Sequence, residues 1–500
     1  MSRNWEWNLH GQWEPNTLQI KKVNEVHMKI EAEPVIKQEL SDFFTFVVPN
    51  ARFTPAYKSR MWDGKIRLFD NRTSRLYLGL FPYVEHFARE RNYNITKEND
   101  VGVQEEFSVI EAKEFVESLK LPHTIRDYQL DSFIHCIRNN RSLIVSPTAS
   151  GKSLIIYTIL NWYTDARLSN KALIIVPTIS LVQQMATDFV EYGYDKDDIH
   201  QITAGVDKET NKRIVISTWQ SLQKMPWEYF QQYDTVIGDE CHLFKAKSLT
   251  EIMTKLTDTK YRFGFTGTLD GTQTHKLVLE GLFGQVKQFV KTKDLIDKEQ
   301  LANFRIKALL LTYTEEERKV VSKLKYQDEM DFLVGCKKRN AFIQNLALSL
   351  TGNTLLLFQY VEKHGKILHD LITSKAEKNR KVFFVYGGTD ADTREQIRAI
   401  TEQEKNAIII ASYGTFSTGI NIRNLHNIVF SSPSKSRIRN LQSIGRGLRL
   451  GDNKERATLF DIADDLRWKK SQNYTLSHFI ERMKLYHEEE FECKQYTINI

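Results

Sequence analysis

From position 143 onward, short, wholly apolar runs alternate with longer stretches in which apolar residues recur at helical spacing. The runs SLIVS, KALIIVP, RIVIST and DTVIGDE show no polar alternation, so each suits a strand buried on both faces, as in a parallel sheet wrapped by helices. This predicts an α/β lobe. The same texture returns at NTLLLFQ, KVFFVYG, NAIIIAS and NIVFSS, after a charged stretch from about 291 to 353 that reads as mostly helical. A second α/β lobe follows, and two lobes imply a cleft. The first hundred residues are different, with a helix expected near 34 to 44 and a strand over 64 to 70, as in a small α+β unit. The expected division is therefore 1–100, 101–290 and 291–500, with no short-period repeat and no low-complexity tract.

Length agrees with this division, since 500 residues exceed one ordinary core and leave room for three domains. Hydrophobic residues make up 41% of the chain and are spread throughout, so the whole chain can bury apolar surface. No apolar run approaches the roughly 18 to 20 residues that span a bilayer, and the N-terminus lacks a leader-like apolar core. We expect a cytoplasmic protein with no membrane partner. Cys136, Cys241, Cys336 and Cys493 are scattered without a CxxC pair, which argues against a zinc site or a disulfide framework. Lys and Arg number 70 against 63 Asp and Glu, a net +7 that permits a polyanionic partner without requiring one.

The first candidate chemistry follows the run SLIVS. Ser146, Pro147, Thr148, Ala149, Ser150, Gly151, Lys152 and Ser153 lie between that strand and the apolar helix LIIYTIL, the context of a phosphate-binding loop. Loop N–H groups and the positive end of the helix can surround a phosphate, Lys152 can reach the outer phosphates, and the Ser153 hydroxyl can ligate Mg²⁺. The pattern departs from G-x-x-x-x-G-K-[ST] in placing Ser146 at the first glycine, and a plain Gly-Lys-Ser turn is the alternative. ATP is the expected ligand. At the end of DTVIGDE stand Asp239, Glu240, Cys241 and His242. Asp239 can hold Mg²⁺, Glu240 can orient and deprotonate the attacking water, and His242 can sense the result. The alternative is a solvated acidic strand end.

A third feature lies in the N-terminal unit. Between positions 52 and 75 stand seven basic residues, Arg60, Lys65 and Arg67 among them, against two acidic ones, with Phe53, Tyr57, Trp62 and Phe69 interleaved. Such a stretch can neutralise phosphates while its aromatics stack on bases. It can equally be a solvated face over an aromatic core, and the pattern does not decide between the two.

Taken in order, these pieces resemble the motifs of superfamily-two helicases. RDYQ, with Arg126 and Gln129, resembles the adenine-reading element. PTASGKS, DECH and TGT resemble motifs I, II and III, while VPTISLVQQ and STWQSL resemble strand-gripping elements. STGINI, with Gly419, resembles motif V, and QSIGRGLR, with Gln442, Arg446 and Arg449, resembles motif VI. The resemblance implies two RecA-like P-loop lobes with parallel sheets behind a small α+β domain. It implies that Arg446 and Arg449 stabilise charge at the γ-phosphate, and that Thr178, Thr218 and Gln220 contact a nucleic-acid backbone without reading sequence.

RFTPAYKSRMWDGKIRLFD, followed by LYLGLFPYVEHF, resembles the N-terminal domain of the UvsW-type helicases of tailed bacteriophages; residues 1–17, with Trp5, Trp7 and Trp13, lie outside that pattern. This resemblance implies an ATP-dependent DNA helicase for branched DNA, acting in recombination, repair and recombination-dependent replication. It also implies branched, duplex and single-stranded DNA as partners, with replication or recombination proteins beside them, and a monomer. The competing readings are an RNA helicase and a double-strand DNA translocase working through a partner. RNA in place of DNA as the stimulating polymer separates the first of these. The absence of a nuclease or methyltransferase segment argues against a self-contained form of the second.

Overall fold

Four strands open the described chain: β1 (Thr17–Lys22), β2 (His27–Glu31), β5 (Arg75–Tyr77) and β6 (Asn94–Lys97), in the order β5-β2-β1-β6. Ile20 and Ile30 face each other across the antiparallel β1–β2 pair, and with Leu18 and Met28 they bury one face of the sheet. Helices Pro34–Phe43 and Phe81–Arg91 cover that face with Ile36, Leu40, Val84 and Phe87. A separate two-stranded hairpin, β3 (Thr45–Val47) with β4 (Lys65–Arg67), carries the basic stretch. The strand expected over 64 to 70 is thus only three residues long, because Asp70 leaves the ladder for an isolated bridge to Arg75.

The computed structural model describes residues 15–49, 51–165, 171–203, 205–245, 247–269, 271–415, 422, 424–432, 436, 444–445 and 456–500. The chain falls into two compact units: Met1–Ser146 with Gly151–Phe289, and Val290–Ile500 with the loop residues Pro147–Ser150.

In the first unit a seven-stranded, all-parallel sheet follows the N-terminal element. Its strands are β7 (Arg141–Val145), β8 (Ala172–Val176), β9 (Ile199–Ile202), β10 (Ile214–Thr218), β11 (Thr235–Asp239), β12 (Tyr261–Thr266) and β13 (Val286–Gln288), in the order β13-β7-β12-β11-β8-β10-β9. Successive residues of β8 point to opposite faces. Ile174 and Val176 enter one apolar cluster, Leu173 and Ile175 the other, which is why the strand has no polar alternation. The buried Arg262 of β12 forms no salt bridge among the described residues; it donates to the carbonyls of Met253, Leu256 and Leu282 at 2.8–2.9 Å. Those carbonyls lie at or near the ends of helices Lys247–Lys255 and Gln273–Phe283, where the partial negative charge accepts a guanidinium.

The N-terminal element packs on this lobe. Glu25 bonds Arg141 at 2.9 Å, Tyr83 donates to Glu280 at 2.7 Å, and Leu277 joins the N-terminal core. A Cβ on Gly79 would fall 2.1 Å from the Glu280 carbonyl oxygen, so only glycine allows this approach of backbones.

The second unit holds another seven-stranded parallel sheet: β14 (Asn303–Thr312), β15 (Thr354–Phe358), β16 (Val382–Val385), β17 (Ile408–Ser412), β18 (Asn427–Phe430), β19 (Arg456–Asp465) and β20 (Glu492–Asn499), in the order β16-β17-β15-β18-β19-β14-β20. The charged stretch expected to be mostly helical is broken by the ten-residue β14. Arg305 and Lys307 alternate there with Phe304, Ile306 and Ala308, a period of two that marks a strand. Two buried ion pairs fix helices to β19. Arg339 meets Asp464 at 2.8 and 3.1 Å with the Tyr313 hydroxyl donating to the same carboxylate, and Arg482 meets Asp461 at 2.8 Å beside Tyr486.

Candidate active site

The order β7-β12-β11 determines the geometry of the site. Strands lie about 4.8 Å apart, so the ends of β7 and β11 are about 10 Å apart with the end of β12 between them. All three are parallel and open on one edge, where α/β folds hold ligands. Ser146 donates from its N–H to the Thr266 carbonyl at 2.9 Å, which ties the start of the phosphate loop to β12.

The loop then turns through two left-handed residues, Ala149 (φ 67°) and Gly151 (φ 79°), before helix Lys152–Asp165. At Gly151 a Cβ would lie 2.4 Å from the Gln129 amide nitrogen, so this glycine answers both to its backbone angle and to close packing. Gln129 is buried, and its carbonyl oxygen accepts from the Arg126 N–H at 2.9 Å, while the Arg126 guanidinium donates to the Tyr128 hydroxyl at 2.9 Å. The expected adenine-reading pair therefore sits against the last loop glycine. Lys152 donates to the Ser146 carbonyl at 3.3 Å, folding its ammonium back over the loop. Ser153 is hydrogen-bonded to the Tyr192 phenol, whose pKa burial pushes up to about 12.

Asp239 closes β11 at 8% exposure, and its buried Oδ1 has no hydrogen-bond partner among the described residues. Burial and the neighbouring Glu240 charge push its pKa up to about 6, against the opposing pull of Lys152. A buried carboxylate oxygen left bare beside a phosphate loop suits a divalent cation. No group of three or more acidic, His or Cys side chains gathers among the described residues, so such an ion would take its other ligands from phosphate, Ser153 and water, as Mg²⁺ does.

Glu240 stands in left-handed backbone (φ 49°). Its Oε2 lies 3.3 Å from His242 Nδ1, and the same nitrogen lies 3.0 Å from Thr266 Oγ1. Because the Thr266 hydroxyl donates to the Thr268 carbonyl at 2.9 Å, its oxygen accepts from His242, which places the proton on Nδ1. In the sequence DECH and TGT are separate elements, and nothing there links them. Only the position of β12 between β7 and β11 reveals it.

Thr178 lies just beyond β8 and Thr218 ends its neighbour β10, and they stand at the N-caps of the helices Ile179–Glu191 and Trp219–Leu222. The Thr178 hydroxyl accepts from the Leu181 N–H and lies 3.0 Å from Ser180 Oγ. Thr218 is buried with its hydroxyl 3.1 Å from Ser221, while Gln220 is exposed. In the N-terminal hairpin Arg60, Lys65 and Arg67 are exposed, and Asp63 holds Arg67 at 2.5 Å. The aromatics divide: Phe69 is core, Phe53 and Tyr57 are exposed, and Trp62 donates to the Lys65 carbonyl. Gly419, Gln442, Arg446 and Arg449 lie outside the described residues.

A nucleotide loop and an acidic strand end on one parallel sheet, in a chain with a second such sheet, define a two-lobed P-loop motor of the superfamily-two kind. Family models agree in chain order: "DNA helicase UvsW, N-terminal" over 18–98, "Type III restriction enzyme, res subunit" over 113–271, and "Helicase conserved C-terminal domain" over 337–451. The chain is 34% identical to the ATP-dependent DNA helicase uvsW of Enterobacteria phage T4, over 95% of its own length and 98% of that protein. It is similar to the crystal structure of T4 UvsW, with TM-score 0.52 and 32% identity over 97% of this chain and 99% of that one. It is also 25% identical to a DNA 3′-5′ translocase of Sulfurisphaera tokodaii, over 77% of this chain and 90% of that protein. The chain belongs to the UvsW family of ATP-dependent DNA helicases.

Proposed function

We propose that this chain is an ATP-driven helicase for branched DNA, which migrates Holliday junctions and forks, dissociates D-loops and R-loops and anneals strands during phage recombination, repair and recombination-dependent replication. Its place of action is the interior of the infected bacterial cell. The observation that carries the reading is the family membership along nearly the whole chain, joined to a nucleotide site in which the bare Asp239 carboxylate faces the charge of Lys152.

In this reading the N–H groups of the loop from Pro147 to Ser153 cradle the phosphates, with Thr148, Ala149 and Ser150 at its turn and Lys152 on the outer oxygens. Arg126 and Gln129 hold the adenine. Asp239 and Ser153 would hold Mg²⁺, which when bound neutralises charge on the β- and γ-phosphate oxygens. Glu240 orients the attacking water and takes its proton, while His242, hydrogen-bonded to Thr266 and 3.3 Å from the Glu240 carboxylate, reports the state of the γ-phosphate to the end of β12. By family resemblance, Gln442, Arg446 and Arg449 act on charge at the γ-phosphate and Gly419 couples the nucleotide to the strand. Thr178, Thr218 and Gln220 grip the DNA backbone, and Arg60, Lys65 and Arg67 add affinity for the branch.

The test is Lys152→Ala. It abolishes ATP turnover and branch migration while DNA binding without nucleotide persists, because it removes a phosphate contact and leaves the strand grip. Retained hydrolysis would contradict the site assignment.

A further inference from the structure

β19 ends at Asp465, and the chain does not pass directly into helix Tyr474–Glu488. It first makes a tight hairpin. Trp468 and Ser471 exchange two backbone bonds, of 3.0 and 2.9 Å, across a two-residue tip formed by Lys469 and Lys470. Lys469 is in left-handed backbone (φ 53°), a conformation that disfavours a side chain with a Cβ, yet neither tip position is glycine or asparagine.

The base of the hairpin is built firmly. Asn473 accepts from the Leu466 N–H at 3.0 Å and donates to the Asp464 carbonyl at 3.1 Å. Glu329, at 1% exposure, accepts from the Tyr474 N–H, the Thr475 N–H and the Thr475 hydroxyl at 2.7–2.9 Å, so a buried carboxylate holds the start of the following helix. At the root of the tip, Arg467 is occupied by Asp465 at 2.5 and 2.9 Å.

What this rigid base presents is charge and ring surface. Lys469 and Lys470 are exposed and form no ion pair among the described residues. The Lys469 ammonium lies 5.9 Å from the half-buried Trp468 ring. Tyr474 is 48% exposed and meets Tyr326 edge to face at 5.9 Å, with exposed Lys325 next to it. Exposed cations interleaved with aromatic faces on a fixed platform match an unpaired nucleic-acid strand, which has both phosphates to neutralise and bases free to stack. A duplex offers the phosphates but keeps its base faces stacked.

The hairpin also opens on a relevant edge. β17 and β19 are parallel members of one sheet, three strand spacings or about 14 Å apart, so both end on the edge where α/β folds hold ligands. We propose that the hairpin from Leu466 to Asn473 is a single-strand DNA contact of the second unit, in which Lys469 and Lys470 neutralise backbone phosphates and Trp468 stacks on an unpaired base. The proposal rests on the reading of the chain as a DNA motor.

The experiment is binding of a fluorescent single strand to the full-length, nucleotide-free chain across a salt series. K469Q/K470Q lowers the slope of log affinity against log salt by about 1.4, at roughly 0.7 per lost single-strand phosphate contact, and K469R/K470R restores it. W468A weakens binding about 5- to 150-fold with little change in slope. In the parent chain, a strand carrying 5-iodouracil photocrosslinks to the peptide containing Trp468, a readout that requires no variant to fold. Parental affinity and slope in both variants, or crosslinks confined to other peptides, would overturn the hairpin assignment while leaving the motor intact. A parent chain that binds no single strand and hydrolyses ATP without regard to DNA would instead overturn the motor reading.

Discussion

Asp239→Asn should make the nucleotide-free protein more stable while disabling it. The carboxylate is buried, its Oδ1 has no partner among the described residues, and its pKa is raised from 3.8 to about 6. The folded state therefore holds the proton more tightly than the unfolded chain. Below the unfolded pKa both states are protonated and the group costs nothing. As pH rises from about 4 to about 6 the unfolded chain ionises first and stability is lost. Above about 6 the fold carries a constant cost, which at 1.36 kcal/mol per pKa unit is about 3 kcal/mol. Asparagine removes the charge and with it this cost. For a cooperative unit of roughly 150–250 residues, where 1 kcal/mol moves the melting point by about 2–4 °C, the gain at pH 8 is about 6–12 °C. The assay is thermal unfolding of parent and variant, without nucleotide, at pH 8 and pH 4.5, alongside ATP turnover. The difference is expected to be large at pH 8, small at pH 4.5, and accompanied by loss of turnover. An unchanged melting point at pH 8, or an equal gain at both pH values, would refute the reasoning.

The other predictions concern charge. Neutralising Arg60 and Lys65 together should lower the salt dependence of branched-DNA affinity by about 1.8, at roughly 0.9 per duplex phosphate contact. Arg67→Ala should change it much less, because Asp63 already engages that guanidinium; equal effects in a binding titration would contradict this. In the second unit, Asp464→Ala strands the buried Arg339 and should cost about 3–5 kcal/mol in denaturant unfolding, with R339M/D464L recovering much of the loss. A D464A chain with parental stability would show that the pair contributes nothing.

The residues proposed to hold the nucleotide stand out in the sequence because they are local. Gly151, Lys152 and Ser153 stand together after an apolar run, and Asp239 and Glu240 end another. The coupling of His242 to Thr266 was not legible, since it depends on which strand lies between β7 and β11, and strand order is set by packing across the whole sheet. β14 was misread because its Arg305 and Lys307 gave a charged texture, and the two-residue period that identifies a strand was hidden by the helical stretches around it. In the N-terminal hairpin, composition could not tell core aromatics from exposed ones; packing decided that Phe69 is interior and that Phe53 and Tyr57 are not. The Trp468 hairpin matches no motif, and only its anchoring by Asn473 and its firm position against Glu329 make it visible.

The central claim is that ATP hydrolysis by this chain is coupled to branched DNA. Its most direct test is the hydrolysis rate of the purified protein measured in parallel with no nucleic acid, single-stranded DNA, linear duplex, a four-way DNA junction and single-stranded RNA. Stimulation by DNA, strongest with the junction, is expected. Stimulation by RNA alone, or by linear duplex alone, would contradict it.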